Sequence, residues 1–145
     1  LLRRHSVLRH SLPAPGEAAH PIDLEAIVQG VRDCRRHGLA GALFQVRVRG
    51  LLAAASAAAG DAYLNGALLA AEFAGLTASR CRGAIVLCAK GRTRQLYETV
   101  LGAIGLGPRL VSVPADIVET LSMRGHAAVL STGLAAGVGA GSEKE

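Results

Sequence analysis

The stretch from Gly83 to Gly105, GAIVLCAKGRTRQLYETVLGAIG, limits the possible folds more than any other, because it reads as a strand running through a turn into a helix. Ala84 to Ala89 form a continuous apolar run with two β-branched members, too short for a helix and bounded by Gly83 and Lys90-Gly91. Such a run predicts a strand covered on both faces. Thr93 is placed to cap a following helix in which Leu96, Val100, Ala103 and Ile104 recur at helical spacing, and Gly105 is placed to end it. In open α/β folds ligands sit where strands turn into helices at their carboxyl ends, which makes Ala89, Lys90 and Gly91 the expected ligand edge.

The remaining pattern is mainly helical. Leu1 to Leu12 reads as the tail of a helix, and Pro13 to His20 as a connector. From Ile22, an amphipathic helix places Leu24, Ile27, Val28, Val31 and Cys34 on one face, and Gly38 closes it. Leu39 to about Ala59 is alanine-rich, with Leu43, Val46 and Leu51 as core candidates and a bend expected at Gly50. Asp61 is a candidate cap for a helix from Ala62 to Ala74, whose Tyr63, Gly66, Ala67, Ala70, Phe73 face is small between two aromatics, so neighbouring backbones can approach it closely. After a turn at Leu76 to Arg82 and the unit at Gly83 to Gly105, Arg109 to Val113 predicts a second short strand ended by Pro114. Asp116 and Glu119 have capping-box spacing ahead of a last helix, expected to break near Arg124-Gly125 and resume through Ala136. Residues 137–145 are expected to be a disordered tail.

Composition narrows the function. Half of the 145 residues are hydrophobic and 19% are charged, enough for a real core. The net charge of +5 rests on fourteen arginines against two lysines, and arginine's planar fork suits carboxylate and phosphate partners. Aromatics are only 3%, with no tryptophan, and the arginines are scattered, which argues against a nucleic-acid partner. Cys34, Cys81 and Cys88 are odd in number and lack CxxC spacing, so neither a disulfide framework nor a zinc site is expected and a cytoplasmic setting is the default. No stretch is long and apolar enough to span a membrane. The histidines His5, His10, His20, His37 and His126 are dispersed without metal-ligand spacing.

Two short strands joined by a crossover helix must be parallel, and such a sheet is poor by itself. The expectation is an α/β chain that belongs to a larger protein, with further sheet supplied by an amino-terminal portion.

Four segments carry a resemblance: LLRRHSVL at the start, GLAGALFQVR from Gly38 to Arg47, AYLNGALLAAEF from Ala62 to Phe73, and the strand-turn-helix with Leu96-Tyr97. Over residues 1–136 the chain resembles the carboxy-terminal half of 2-dehydro-3-deoxygalactonokinases, sugar-acid kinases of the actin-like ATPase superfamily. The resemblance implies an α/β fold, the helix-rich half of an actin-like (ribonuclease H-like) kinase with a short, incomplete parallel sheet. It implies ATP- and Mg2+-dependent phosphorylation of the terminal hydroxyl of 2-dehydro-3-deoxy-D-galactonate in galactonate catabolism. It also implies that the catalytic residues lie in a missing amino-terminal lobe, so that residues 1–136 alone are inactive. Ala89 stands where relatives typically carry glycine, and Asn65 and Ala70 where they tend to carry serine and glycine. An added methyl at a purine-facing turn narrows the pocket.

Two classes of reading apply to single residues. Arg47 either reaches the substrate or the missing lobe, or pairs with an acid such as Glu72. Lys90 either approaches phosphate or ribose, or is a solvated turn lysine. Asp116 fits a capping role, Tyr63 and Phe73 fit the core rather than an adenine stack, and Cys88 fits a structural cysteine. The rival to the kinase is a non-catalytic α/β domain binding a small anion or a protein partner; a mainly helical interaction module is a third reading, and homo-oligomerisation is left open.

Overall fold

A computed structural model describes residues 6–14, 20–52, 55–78 and 82–138. The leading residues of the expected first helix, the middle of the connector, Cys81 and the end of the tail fall outside these. Among the described residues, five α-helices and two strands follow a 3-10 turn at Val7–Ser11, with a second 3-10 turn at Gly107–Arg109: α1 at Leu24–Leu52, α2 at Ala57–Glu72, α3 at Ala74–Ala78, β1 at Ile85–Leu87, α4 at Gly91–Ala103, β2 at Leu110–Ser112 and α5 at Ala115–Val138. The architecture is helix-rich α/β with a two-stranded parallel sheet.

Helix α1 is two limbs. Gly38 has φ 72 and ψ 170, a left-handed-side conformation costly for any residue with a Cβ, and it interrupts the helix where the sequence predicts an end. The chain reverses there: Glu25, Ala26 and Gln29 of the first limb line the same cavity as Val46, Arg49 and Gly50 of the second. A straight helix would put these groups roughly 30 Å apart.

Helix α2 packs into this hairpin as the predicted central helix. Tyr63, Ala67 and Ala70 are buried on it, facing Ile27, Val31 and Cys34 of α1. The crossing is set by two glycines. A Cβ on Gly66 would fall on the Ile27 carbonyl oxygen, and one on Gly30 would fall on the Tyr63 carbonyl oxygen. Backbone thus meets backbone, and Ile27, Val31, Val46 and Tyr63 around it are essentially fully buried. Each such aliphatic side chain contributes about 1.5–3 kcal/mol relative to exposure.

The start of α2 differs from expectation. The alanine run carries the helix a turn further upstream, where the Ser56 hydroxyl accepts from the Ala59 amide at 3.1 Å. Asp61 is therefore inside the helix and buried rather than its cap. Leu51, a core candidate, is 64% exposed because the second limb of α1 ends beside it. The other core candidates of that limb are Val46, which is buried, and Leu43, which packs against the core. The 3-10 turn buries Leu8 and Leu12 against the bundle in place of the expected α-helical tail.

The strand-turn-helix unit forms as predicted, with β1 and β2 parallel and in the register Ile85 to Leu110, Val86 to Val111 and Leu87 to Ser112. Period-2 alternation turns Leu87 into the core, but Val86 and Val111, paired on the other face, are 61% and 53% exposed. The prediction of a strand covered on both faces is thus corrected: no described element packs on that side. Helix α4 starts two residues before Thr93, with Lys90 at its N-cap and no side-chain cap, because Gly91 at φ 55 turns the chain directly into the helix. Its end is as predicted: Gly105 follows the cap, its amide reaching the Gly102 carbonyl, while the Leu106 amide reaches the Leu101 carbonyl at 2.8 Å. This is a Schellman arrangement with Leu101 and Leu106 both buried.

Helix α5 runs on through Arg124 and Gly125 without the predicted break. A glycine costs an exposed helix about 1 kcal/mol, too little to end it when nothing competes for its backbone. Asp116 is the second helical residue and not its cap, and the carboxylate of Glu119 is engaged elsewhere, so the capping box does not form.

Candidate functional site

Both strands end on one edge. The Val113 amide donates to the Leu87 carbonyl at 3.0 Å, extending the ladder by one bond and bringing the exits of β1 and β2 side by side. From there Cys88, Ala89 and Lys90 lead into Gly91. Ala89 is half-buried and the other three are exposed. Nothing lies within 4 Å of a Cβ built on Gly91, so the turn borders open space. The Arg94 amide closes the first turn of α4 on the Lys90 carbonyl at 3.3 Å. Amides at a helix start favour anions.

Polar contacts brace the edge. Lys90 Nζ lies 2.8 Å from Glu119 Oε1, tying the exit turn to the fifth residue of α5. Lys90 is therefore neither free nor merely solvated, a partnership that only the parallel crossing creates. The Lys90 hydrogen bond and charge hold the Glu119 carboxyl below its ordinary range. Behind it, Ser112 Oγ donates to Glu98 Oε1 at 2.6 Å and Arg94 Nε donates to the same oxygen at 2.7 Å. These two bonds, Ser112 first, depress the Glu98 carboxyl as well. The i,i+4 spacing of Arg94 and Glu98 was visible in the sequence; their partner at the end of β2 was not. At the opposite edge Arg109 clamps the Gly83 carbonyl through Nε at 3.0 Å and Nη2 at 2.9 Å.

Arg47 sits apart from this turn, on the second limb of α1. Its Nη1 donates to the Val7 carbonyl at 3.2 Å, so it holds the 3-10 turn to the bundle and the pairing with Glu72 does not form. Cys88 is exposed at the strand exit rather than buried as a structural cysteine, whereas Cys34 is buried and burial pushes its thiol up. Tyr63 is core, as expected. Phe73 is half-buried and meets Tyr97 edge to face at 5.6 Å.

Two cavities flank the central helix. One of about 150 Å3 is lined by Ser11, Asp23, Glu25, Gln29, Arg49 and Tyr63 among others. Arg92, in the first turn of α4, donates to the His20 carbonyl, which ties the segment leading into α1 to the start of α4. The other, about 430 Å3, lies at the Gly38 reversal among Cys34, Leu39, Ala70, Phe73 and Ile104, toward the far end of α4. Among the described residues no group of three His, Cys, Asp or Glu side chains could hold a metal ion. Nor, among them, is any helix long and apolar enough to cross a membrane.

No curated protein and no solved structure matches the chain significantly. The family model described as 2-keto-3-deoxy-galactonokinase matches residues 1–125, which include both limbs of α1, the central helix, the exit turn and both strands. Over most of its length, then, the chain is a member of the 2-keto-3-deoxy-galactonokinase family.

Proposed function

We propose that the chain is the nucleotide-side, carboxy-terminal portion of an ATP-dependent kinase that phosphorylates the terminal hydroxyl of 2-keto-3-deoxy-galactonate, residues 1–136 forming that portion of an actin-like fold and residues 137–145 a tail. The observation that carries the reading is the family match across the strand-turn-helix whose exit turn lies on the carboxyl edge of a parallel sheet. Support also comes from the exposed Val86 and Val111, which leave a sheet face for further structure to cover. An amino-terminal lobe is the occupant in this reading.

The exit turn fits the nucleotide. Gly91 lets the backbone approach a ligand beside the methyl of Ala89, and Lys90 sits at the start of α4, whose amides favour an anion, with its ammonium 2.8 Å from Glu119. When bound, ATP supplies the phosphoryl group. What this chain does is hold and orient the nucleotide, with Glu119 keeping Lys90 positioned and Glu98 fixing Ser112 against α4. Arg47, anchored at Val7, stands as an inter-lobe contact. The described residues supply no ligand cluster for magnesium; its ligands and the base that takes the hydroxyl proton are assigned to the amino-terminal lobe. Residues 1–136 alone therefore bind nucleotide without catalysing transfer, in a cytoplasmic setting.

The test is ADP production by the full-length protein with magnesium. Turnover that depends on 2-keto-3-deoxy-galactonate, and a nucleotide affinity that falls when Gly91 is changed to valine, is the expected result. A folded full-length sample with no such turnover would sink the kinase reading.

A further inference from the structure

Arg47 and Arg49 stand two residues apart on the same limb, yet they are placed differently. Arg47 spends its fork on the Val7 carbonyl, whereas the Arg49 guanidinium lies 4.8 Å over the Tyr63 ring and, among the described residues, has no hydrogen-bond or ion-pair partner. Packing over the ring restrains the guanidinium, and its unpartnered N–H groups suit a planar anion. Arg49 lines the cavity of about 150 Å3, a size on the order of one that admits a ring-sized molecule.

The rest of the lining is acceptor-rich. Asp23 spends Oδ1 on the Ala26 amide and keeps Oδ2, and Glu25 is exposed at the rim. Gln29 donates its amide N–H to Asp33, as the Tyr63 hydroxyl does, which leaves the Gln29 carbonyl oxygen free. One cationic donor faces several acceptors. A phosphate would bring no hydroxyl donors and would meet two carboxylates; a neutral sugar would leave Arg49 without an acceptor. A molecule with one carboxylate and neighbouring hydroxyls satisfies both sets.

We infer that this cavity receives the carboxylate-bearing end of a polyhydroxy acid, with Arg49 gripping the carboxylate and Asp23, Glu25 and Gln29 accepting from the hydroxyls. The inference rests on the kinase reading for which acid is bound, and it makes Arg49 the residue that separates sugar acids from neutral sugars.

Calorimetric titration of the full chain with 2-keto-3-deoxy-galactonate, galactose and inorganic phosphate tests it. The acid binds and the other two do not; Arg49→Gln weakens the acid ~10- to 100-fold, as loss of a charge-assisted pair does, and Arg49→Lys recovers part of the loss. Glu25→Gln, at an exposed position that leaves folding intact, weakens it ~3- to 10-fold. Unchanged affinity in Arg49→Gln, or equal binding of galactose or phosphate, overturns the assignment. Sugar-acid turnover with an unchanged KM in Arg49→Gln would remove this inference and leave the kinase standing. Arg49-dependent binding without turnover in the full-length protein would do the opposite.

Discussion

The helical layer and the sheet layer are held by different forces. In the first, α1 and α2 cross backbone to backbone at Gly30 and Gly66 over side chains with almost no exposure. In the second, three residues of each strand meet the core on one face only, and the edges are stitched by Arg109 to Gly83, Ser112 to Glu98 and Lys90 to Glu119. Close packing makes the helical layer intolerant of added volume, since dense interiors transmit strain. The sheet layer is tolerant because half of it has no packed neighbour among the described residues, and it is also where the turn proposed to meet the nucleotide sits.

The sharpest way to break this contrast is to add a methyl group to each layer. Gly66→Ala drives a Cβ onto the Ile27 carbonyl and should cost about 3 kcal/mol, the upper range for overpacking, lowering Tm by roughly 6–12 °C in a chain of this size. Gly102→Ala in α4, where the new atom meets nothing within 4 Å, should be neutral or stabilising by up to ~1 kcal/mol. Equal melting shifts would show that the glycine crossing is not what organises the helices.

Truncation gives the complementary experiment. Ile27→Ala, at 1% exposure, should cost about 3–4 kcal/mol, whereas Val86→Ala, at 61%, should stay within ~0.5 kcal/mol in these 145 residues. In the full-length kinase proposed above the second cost should rise to that of a buried valine. A Val86→Ala penalty that stays small there would leave the sheet face uncovered and count against a lobe packed on it.

This contrast also governs how much could be read from the sequence. Helical periodicity placed Ile27, Val31, Val46 and Ala67 in the core, and small residues foretold the close approach along α2, because both signals are local and repeat every turn. The end of α4 was legible for the same reason, since Gly105 alone permits its cap. What failed were caps and faces decided by distant partners. Glu119 answers Lys90 across the crossover rather than the start of its own helix, Ser56 displaced Asp61 because the alanines upstream were free to coil, and Val86 looks buried only if a further layer is assumed. At the candidate site the turn Ala89, Lys90, Gly91 followed from strand-to-helix order. The Arg49 cavity did not, because it needs the chain reversal at Gly38 to bring residues 23–29 and 46–50 together.

The two layers should also answer pH from opposite ends. Tyr63 is pushed well above an ordinary phenol, first by burial and then by donating to Asp33 at 2.8 Å, so its folded pKa exceeds the unfolded one. Its contribution is whole below about pH 10 and is lost as pH rises through the folded value. Tyr63→Phe should cost about 1–2 kcal/mol at neutral pH and flatten the alkaline limb of the melting profile. A wild-type alkaline limb no steeper than that of the variant would mean that the hydroxyl bond does not stabilise the helices.

The smallest effect belongs to the sheet edge. Glu98 and Glu119 are both depressed by hydrogen-bond partners, so their contribution is present above the ordinary glutamate range and fades as pH falls through it toward the lower folded values. Both pairs are well exposed, and solvent and salt screen them, so Glu119→Gln should leave the global Tm unchanged within error. The change should be local. Losing Glu119 frees the exit turn, so the Val113 amide, bonded to Leu87 beside it, should exchange with solvent faster in the variant at pH 7, and the difference should shrink as pH falls through the lowered Glu119 value or in 1 M salt, which screens the pair. An exchange rate that is identical in the two proteins at pH 7 and low salt would mean that the Lys90 pair does not brace the turn, and that the sheet layer is held by its single packed face alone.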